Sequence, residues 1–388
     1  MFSKEETPFD KFVSRGDLPD EFDIPGPHAE IDAAVEQALI DIDETRVSKV
    51  ISVLGENGIG KSHLFWALRK NFYAQANFIY VPTPISKKGT LFDIYTRFVE
   101  GLGEDRVRDT LARIASNWGS RYKIYGIFRT TDVDSVICRA VKLEAKGKTI
   151  DPYMQDCIKA IIKFDLDPEN RALAERWIFG EPMDFAELQV LGVERNMKEE
   201  ETIFTMMTLL IEAMEEVLVF FFDELEKPFQ TPDIATESDD RLRGEFEPAE
   251  NTEKHSRNIF EIIHKLISNT TNVLAILSIN SCDWNKVQEF IPPQLREKMG
   301  EGLSFRAFQF DEFKQLYLDI LRKYWFDLEV GIIKDPFYPL NESILQEIFQ
   351  KSKGNPRECL RVLKKIFSAI ALEEWDENQV LEHARDEI

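Results

Sequence analysis

A chain of 388 residues, 43% of them hydrophobic, is long enough for two or three compact units with ordinary apolar cores, which excludes a small domain held together by disulfides. The formal net charge of −22 argues against tight non-specific DNA binding, which draws on many Lys and Arg contacts to phosphate. The plain reading of the acidity is solubility; the sharper one is that any nucleic-acid contact runs through a partner, a local patch or an oligomer. Cys138, Cys157, Cys282 and Cys359 stand far apart with no C-x-x-C pair, a usage that fits reduced thiols in a cytoplasmic protein and not structural zinc. The N-terminus has no basic stretch leading into an apolar one, and the longest apolar run, Val217–Phe222, is too short to cross a bilayer, so no membrane association is expected.

In chain order, an aperiodic segment rich in Pro, Asp and Phe ends in Ile24-Pro25-Gly26-Pro27-His28. A helix is predicted next, because Ile31, Val35, Ala38, Leu39 and Ile42 fall on one helical face. Val50–Leu54 reads as a short buried strand, Gly55–Ser62 as a glycine-rich loop and Lys61–Lys70 as a helix, followed by a second strand at Asn77–Val81 and a helix carrying Leu91, Ile94, Tyr95 and Phe98. Residues from Gly103 to Glu200 read as mostly helical. A helix bearing Ile203, Met206, Met207, Leu210 and Ile211 then leads to the apolar strand Val217–Phe222. Thr231–Ser256 is crowded with polar residues and predicts a mobile loop, before a helix near Asn258–Ser268 and a strand at Val273–Ile279. Beyond about residue 310 the pattern is helical. The expectation is an α/β fold: a parallel-sheet core in two parts (31–102 and 201–310), an N-terminal extension (1–30), a helical insertion (103–200) and a C-terminal α-helical lid (311–388).

The chemistry sits where strands end. Gly55-Glu56-Asn57-Gly58-Ile59-Gly60-Lys61-Ser62 has the full GxxxxGKS spacing of a P-loop between a strand and a helix. Its glycines let backbone N–H groups wrap phosphates at a helix N-terminus; Lys61 is suited to the β- and γ-phosphates of ATP and the Ser62 hydroxyl to Mg2+. His63, next in sequence, is counted with the nucleotide-binding residues. The strand ending in Asp223-Glu224 supplies the acidic tip such a site needs, with Asp223 expected on the Mg2+ and Glu224 as general base toward water. Asn280, ending the later strand, is read as an amide that orients the water or senses the γ-phosphate, a turn-forming Asn being the alternative. Arg357 follows Asn355 and Pro356 at the start of a predicted helix. A cation is disfavoured at that end unless an anion lies near, which suggests a phosphate contact from the lid.

This order of motifs resembles the AAA+ ATPases: Walker A, Walker B as Asp223-Glu224, sensor 1 as Asn280 and sensor 2 as Arg357. The Ile-Pro-Gly-Pro-His and Gly-Asn-Pro-Arg-Glu-Cys-Leu-Arg segments are similar to the origin-recognition and initiator clade. The resemblance covers roughly residues 20–100 and 200–370. It implies ATP and Mg2+ as ligands, subunits that assemble around ATP, and an arginine finger in the Pro292–Lys298 segment, with Arg296 the candidate and Arg306 the reserve. Two departures stand out. Lys61 and Asp223 are much farther apart than a simple core needs, and the sequence stops soon after the lid, where initiators usually carry a winged helix, so sequence-specific origin binding is not expected. Glu175–Pro182 and Leu191-Gly192-Val193 in the insertion, with Asp223-Glu224-Leu225-Glu226 after it, look like ATPases of BREX-type phage-resistance systems, although a Trp and a Gly packing a helical hairpin explain the insertion residues equally well. The implied function is an ATPase that couples hydrolysis to conformational change or assembly of a protein complex, in phage defence or DNA transactions. The alternatives are a nucleotide-gated scaffold with little turnover and an initiator-like DNA-binding ATPase.

Overall fold

The structure, a computed structural model, describes residues 7–9, 22–83, 90–121, 132–227, 249–329, 335–373, 380–382 and 384–385. Five parallel strands, β1 (Lys49–Gly55), β2 (Ala76–Pro82), β3 (Val217–Asp223), β4 (Val273–Asn280) and β5 (Leu303–Ser304), form one sheet in the order β2-β3-β4-β1-β5. The helices are α1 (Ala29–Thr45), α2 (Lys61–Phe72), α3 (Thr90–Leu102), α4 (Glu104–Arg121), α5 (Val133–Ala145), α6 (Pro152–Leu166), α7 (Arg171–Ile178), α8 (Phe185–Leu191), α9 (Glu200–Ala213), α10 (Ala249–Asn269), α11 (Trp284–Phe290), α12 (Pro293–Met299), α13 (Phe310–Asp327), α14 (Glu342–Lys351) and α15 (Pro356–Glu373).

The central strands are buried on both faces, which is why they read as unbroken apolar runs and not as alternating ones. Along β3, Val219 and Phe221 join a core with α1 and α2, whereas Phe220 and Phe222 face the opposite core. That second core is the larger. It runs from the sheet through α3 and α9 into the helices between β2 and β3, so Trp118, Ile161 and Trp177 belong to the same apolar cluster as Phe220. The Trp177 indole donates to the Arg195 carbonyl at 2.9 Å, satisfying its polar edge inside that cluster. The helical C-terminal region has a core of its own, centred on Phe313, Tyr317, Leu345, Leu363 and Phe367.

The architecture is therefore a parallel sheet flanked by helices and followed by a helical region, as the order of elements predicts. Two local expectations need amendment. Of the polar stretch Thr231–Ser256, residues 231–248 lie outside those described, but from Ala249 the chain is already helical, because Ala249, Glu250, Glu253 and Lys254 favour helix despite their polarity. The two-residue strand β5, paired with Val53 and Leu54, is too short to leave a periodic signal. No helix among the described residues is long and apolar enough to cross a membrane.

Candidate functional site

The strands deliver their C-terminal ends to one edge of the sheet, where parallel α/β folds commonly place ligands. At the end of β1 the chain turns through Gly58 (φ 83°) and Gly60 (φ 115°) into α2. Both angles lie in the left-handed region that glycine adopts without strain. A Cβ on Gly58 would also stand 2.6 Å from the Asn355 side chain and 2.9 Å from Cβ of Arg357, so the lid's close approach requires the bare backbone. The first-turn N–H groups of α2, which have no partner within the helix, open on the same space. Lys61 is 7% exposed and donates to the carbonyls of Gly55 at 2.8 Å and Glu56 at 3.2 Å. Burial holds its ammonium below the usual lysine range, opposed chiefly by the charge of Glu226 and then by Asp223.

Asp223 is fully buried at the tip of β3, and its carboxylate accepts four hydrogen bonds. Ser62 Oγ (2.5 Å) and Tyr80 OH (2.8 Å) donate to Oδ2, and Ser278 Oγ (2.7 Å) and the Glu224 N–H (2.9 Å) to Oδ1. These donors arrive from α2, β2, β4 and the turn after β3, so the sheet's parallel order itself builds the cluster. Ser62 and Asp223 offer hydroxyl and carboxylate oxygens side by side, the hard donor set that suits Mg2+. Among the described residues no group of three or more His, Cys, Asp or Glu is placed to hold an ion. Phosphate oxygens and water would have to complete its coordination, as is usual for Mg2+.

Glu224 has φ 59°, a left-handed conformation uncommon for a residue with a side chain and frequent at functional sites. Its carboxylate is ion-paired with Lys227 at 2.5 Å. Glu226, two residues on, is only 3% exposed, and burial pushes its carboxyl above the usual range. Asn280 lies opposite Gly55 in the register of β4 and β1; its Oδ1 accepts from the Cys282 N–H at 3.0 Å, so it does act as a turn cap, while its position keeps it at the same sheet edge.

The pocket is lined both by polar side chains, Lys61, Ser62, Asp223, Glu224, Glu226 and Arg357, and by apolar ones, Phe22, Ile24, Phe305, Phe308, Leu316 and Leu360. Of the loop residues expected to bind nucleotide, Asn57, Gly58, Ile59, Gly60 and His63 line it too, and Gly55 and Glu56 contribute the carbonyls that hold Lys61. Asn355 caps α15, accepting from the Arg357 N–H at 3.1 Å, and donates through Nδ2 to the Asn57 carbonyl at 2.8 Å. At the N-terminal side, Asp23 Oδ1 bridges His28 Nε2 (2.9 Å) and His63 Nε2 (3.0 Å), and His28 Nδ1 meets Asp32 at 2.9 Å. Burial works against the charged His28, but Asp23 and Asp32 outweigh it and raise its pKa to about 9.

No family model matches the chain, and no curated protein matches it. Solved structures do. The ORC2 protein of Aeropyrum pernix in its ADP form aligns over 98% of this chain and 71% of that one, with 14% identity and a TM-score of 0.47. Cdc6p from Pyrobaculum aerophilum aligns over 95% and 66%, with 11% identity and a TM-score of 0.46. The Aeropyrum pernix ORC1 protein in complex with DNA aligns over 99% and 69%, with 11% identity and a TM-score of 0.41.

The two finger candidates sit outside the pocket. The Arg296 guanidinium donates to the carbonyls of Gln288 and Ile291, the latter at 3.3 Å, and Arg306 pairs with Glu312. The sequence assigns no role in the site to Tyr80, Ser278, Glu226 or Asp23. Only Glu226 left a trace, as the fourth residue of an acidic turn after an apolar strand; the others are ordinary strand or loop residues whose role depends on which strands are neighbours.

Proposed function

We propose that the chain is a Mg2+-dependent ATPase whose cycle moves the helical lid against the sheet. The observation that carries this reading is the Ser62–Asp223 hydrogen bond, 2.5 Å long across 161 positions of sequence, in a pocket shared with Lys61, Glu224 and Arg357. The loop N–H groups and Lys61 would hold the phosphates, and the apolar lining residues would take the base. Ser62 and Asp223 would hold Mg2+, which when bound neutralises charge on the phosphates and aligns them. Glu224 and Asn280 orient water, and Arg357 offers positive charge from the lid. Arg296 is the proposed finger toward a neighbouring subunit, for which its guanidinium must leave its own carbonyl partners.

Asp223→Asn and Glu224→Gln variants are expected to bind ATP while losing steady-state phosphate release. Unchanged hydrolysis in both would sink the site assignment. The client we propose is a protein complex, with nucleic acid reached through it, in line with the net charge of −22. The likeness of Glu175–Pro182 to phage-defence ATPases makes a defence complex the first candidate for pull-down from cells; DNA binding by the isolated chain at low salt would favour a direct DNA role instead.

A second reading, a nucleotide-gated scaffold with slow turnover, draws support from the Glu224–Lys227 ion pair, which occupies the proposed base. Mass photometry with ATP, ADP and no nucleotide, run beside a partner-stimulated ATPase assay, separates the two. Assembly without stimulated turnover selects the scaffold.

A further inference from the structure

Three carboxylates line the pocket, and they differ in what their oxygens do. Those of Asp223 accept from four donors within the protein. That of Glu224 is engaged by Lys227. Glu226 is different: its side chain is 97% withdrawn from solvent, yet its Oε2 has no hydrogen-bond partner in the protein. A buried acceptor left open is costly, and native structures keep one mainly where water, an ion or chemistry will use it.

The surroundings say which. The turn that carries Glu226 is stapled to β4, since Leu225 N–H donates to the Ser278 carbonyl at 3.3 Å and the Asn280 N–H faces the Glu226 carboxylate. Glu226 is also the foremost opposing charge on Lys61, ahead of Asp223 and Glu224. Glu226 therefore lines the same pocket as Lys61 and Asp223, beside the strand that ends in Asn280, with one acceptor oxygen left without a partner in the protein.

We propose that Glu226 is a second water-orienting carboxylate of the site, presenting Oε2 to the water that attacks the terminal phosphate of ATP. This rests on the ATPase reading above. In the step, the water oxygen forms a bond to the γ-phosphorus as the bond from that phosphorus to the β,γ-bridging oxygen breaks. The bonding pair leaves with ADP, and the proton lost by the water passes through the carboxylate to solvent, giving ADP and inorganic phosphate. Glu226 thus contributes a hydrogen-bond acceptor, and Asn280 fixes the turn that aims it.

The near-isosteric Glu226→Gln keeps an oxygen for the Asn280 N–H and removes the carboxylate, so the fold is expected to persist. Its kcat should fall by roughly 100-fold, the scale of a lost proton acceptor, while equilibrium affinity for a non-hydrolysable ATP analogue changes by less than about threefold. Affinity for ADP with aluminium fluoride, whose complex includes the attacking water, should fall with kcat. Glu226→Asp, which keeps a carboxylate, should recover part of both. Wild-type turnover in Glu226→Gln overturns the proposal. So does a parallel loss of ATP-analogue binding, which would make Glu226 a structural support for Lys61. If the wild-type protein binds ATP and does not hydrolyse it under any condition, the ATPase reading fails instead.

Discussion

The side-chain amide of Asn355, in the lid, donates to the backbone carbonyl of Asn57, in the phosphate loop, at 2.8 Å. The same residue caps α15 through its Oδ1, so one side chain both starts the lid helix and ties it to the loop. Asn355→Asp separates these roles, because the carboxylate still caps but cannot donate to a carbonyl. We expect it to weaken nucleotide binding about fivefold, equivalent to about 1 kcal/mol for one hydrogen bond, with the unfolding temperature little changed. Isothermal titration with ADP and with an ATP analogue measures this, and unaltered affinity for both would mean that the contact does not contribute to closure.

Tyr80 and Ser278 orient the Asp223 carboxylate from the strands on either side of β3. Removing such a supporting donor from a metal ligand typically costs 10–100-fold in metal affinity. Tyr80→Phe is accordingly expected to raise the Mg2+ concentration needed for half-maximal nucleotide binding by about tenfold, leaving the metal-free affinity unchanged. A fluorescent-nucleotide titration with and without EDTA reads both quantities.

Lys227 holds Glu224 through an ion pair whose side chains are 45% and 37% exposed. An exposed pair of this kind contributes little to stability, commonly under about 1 kcal/mol, so Lys227→Ala should fold normally. If the pair restrains the base, basal phosphate release should rise about two- to fivefold in the variant. A decrease would instead mark the pair as the arrangement that positions Glu224 for reaction.

His28 carries a pH dependence of definite sign. Its folded-state pKa of about 9 lies above the ordinary value of 6.5, so folding favours the protonated ring. The resulting stability is fully present below about pH 6.5 and is lost as pH rises through about 9, with a size of the order of 1–3 kcal/mol. Denaturant unfolding at pH 6.5, 8 and 9.5 should show this decline in the wild type and a flatter profile in His28→Gln. Equal slopes in the two proteins would remove His28 as the source.

Much of the fold was legible because the physics is local. Val50–Leu54 and Val217–Phe222 announce strands buried on both faces, and the spacing of Ile31, Val35 and Ile42 announces a helix with one buried side. The glycine-rich turn between β1 and α2 was legible for the same reason, as consecutive residues with a fixed geometry. The rest of the site was not local. Tyr80 reaches Asp223 only because β2 adjoins β3, and Asp23 meets His63 only because the N-terminal segment folds back over α2. No spacing within one element encodes such meetings. Glu226 failed to stand out for a different reason: an acidic residue in a turn ordinarily signals solvent, and only its burial and open oxygen mark it as unusual.

The helices between β2 and β3 share one continuous apolar cluster with the sheet, whereas the lid keeps its own. The helices between β2 and β3 are thus packed as one body with the sheet, and the C-terminal helices are packed as a second. The pocket takes its walls from both bodies, Lys61 and Asp223 from one and Leu316 and Leu360 from the other. On the ATPase reading proposed above, a ligand seated there would act as a removable wedge between them. A client that grips the insertion and the lid at once would feel the change of ligand as a displacement between its two points of attachment, and one that grips either body alone would feel none.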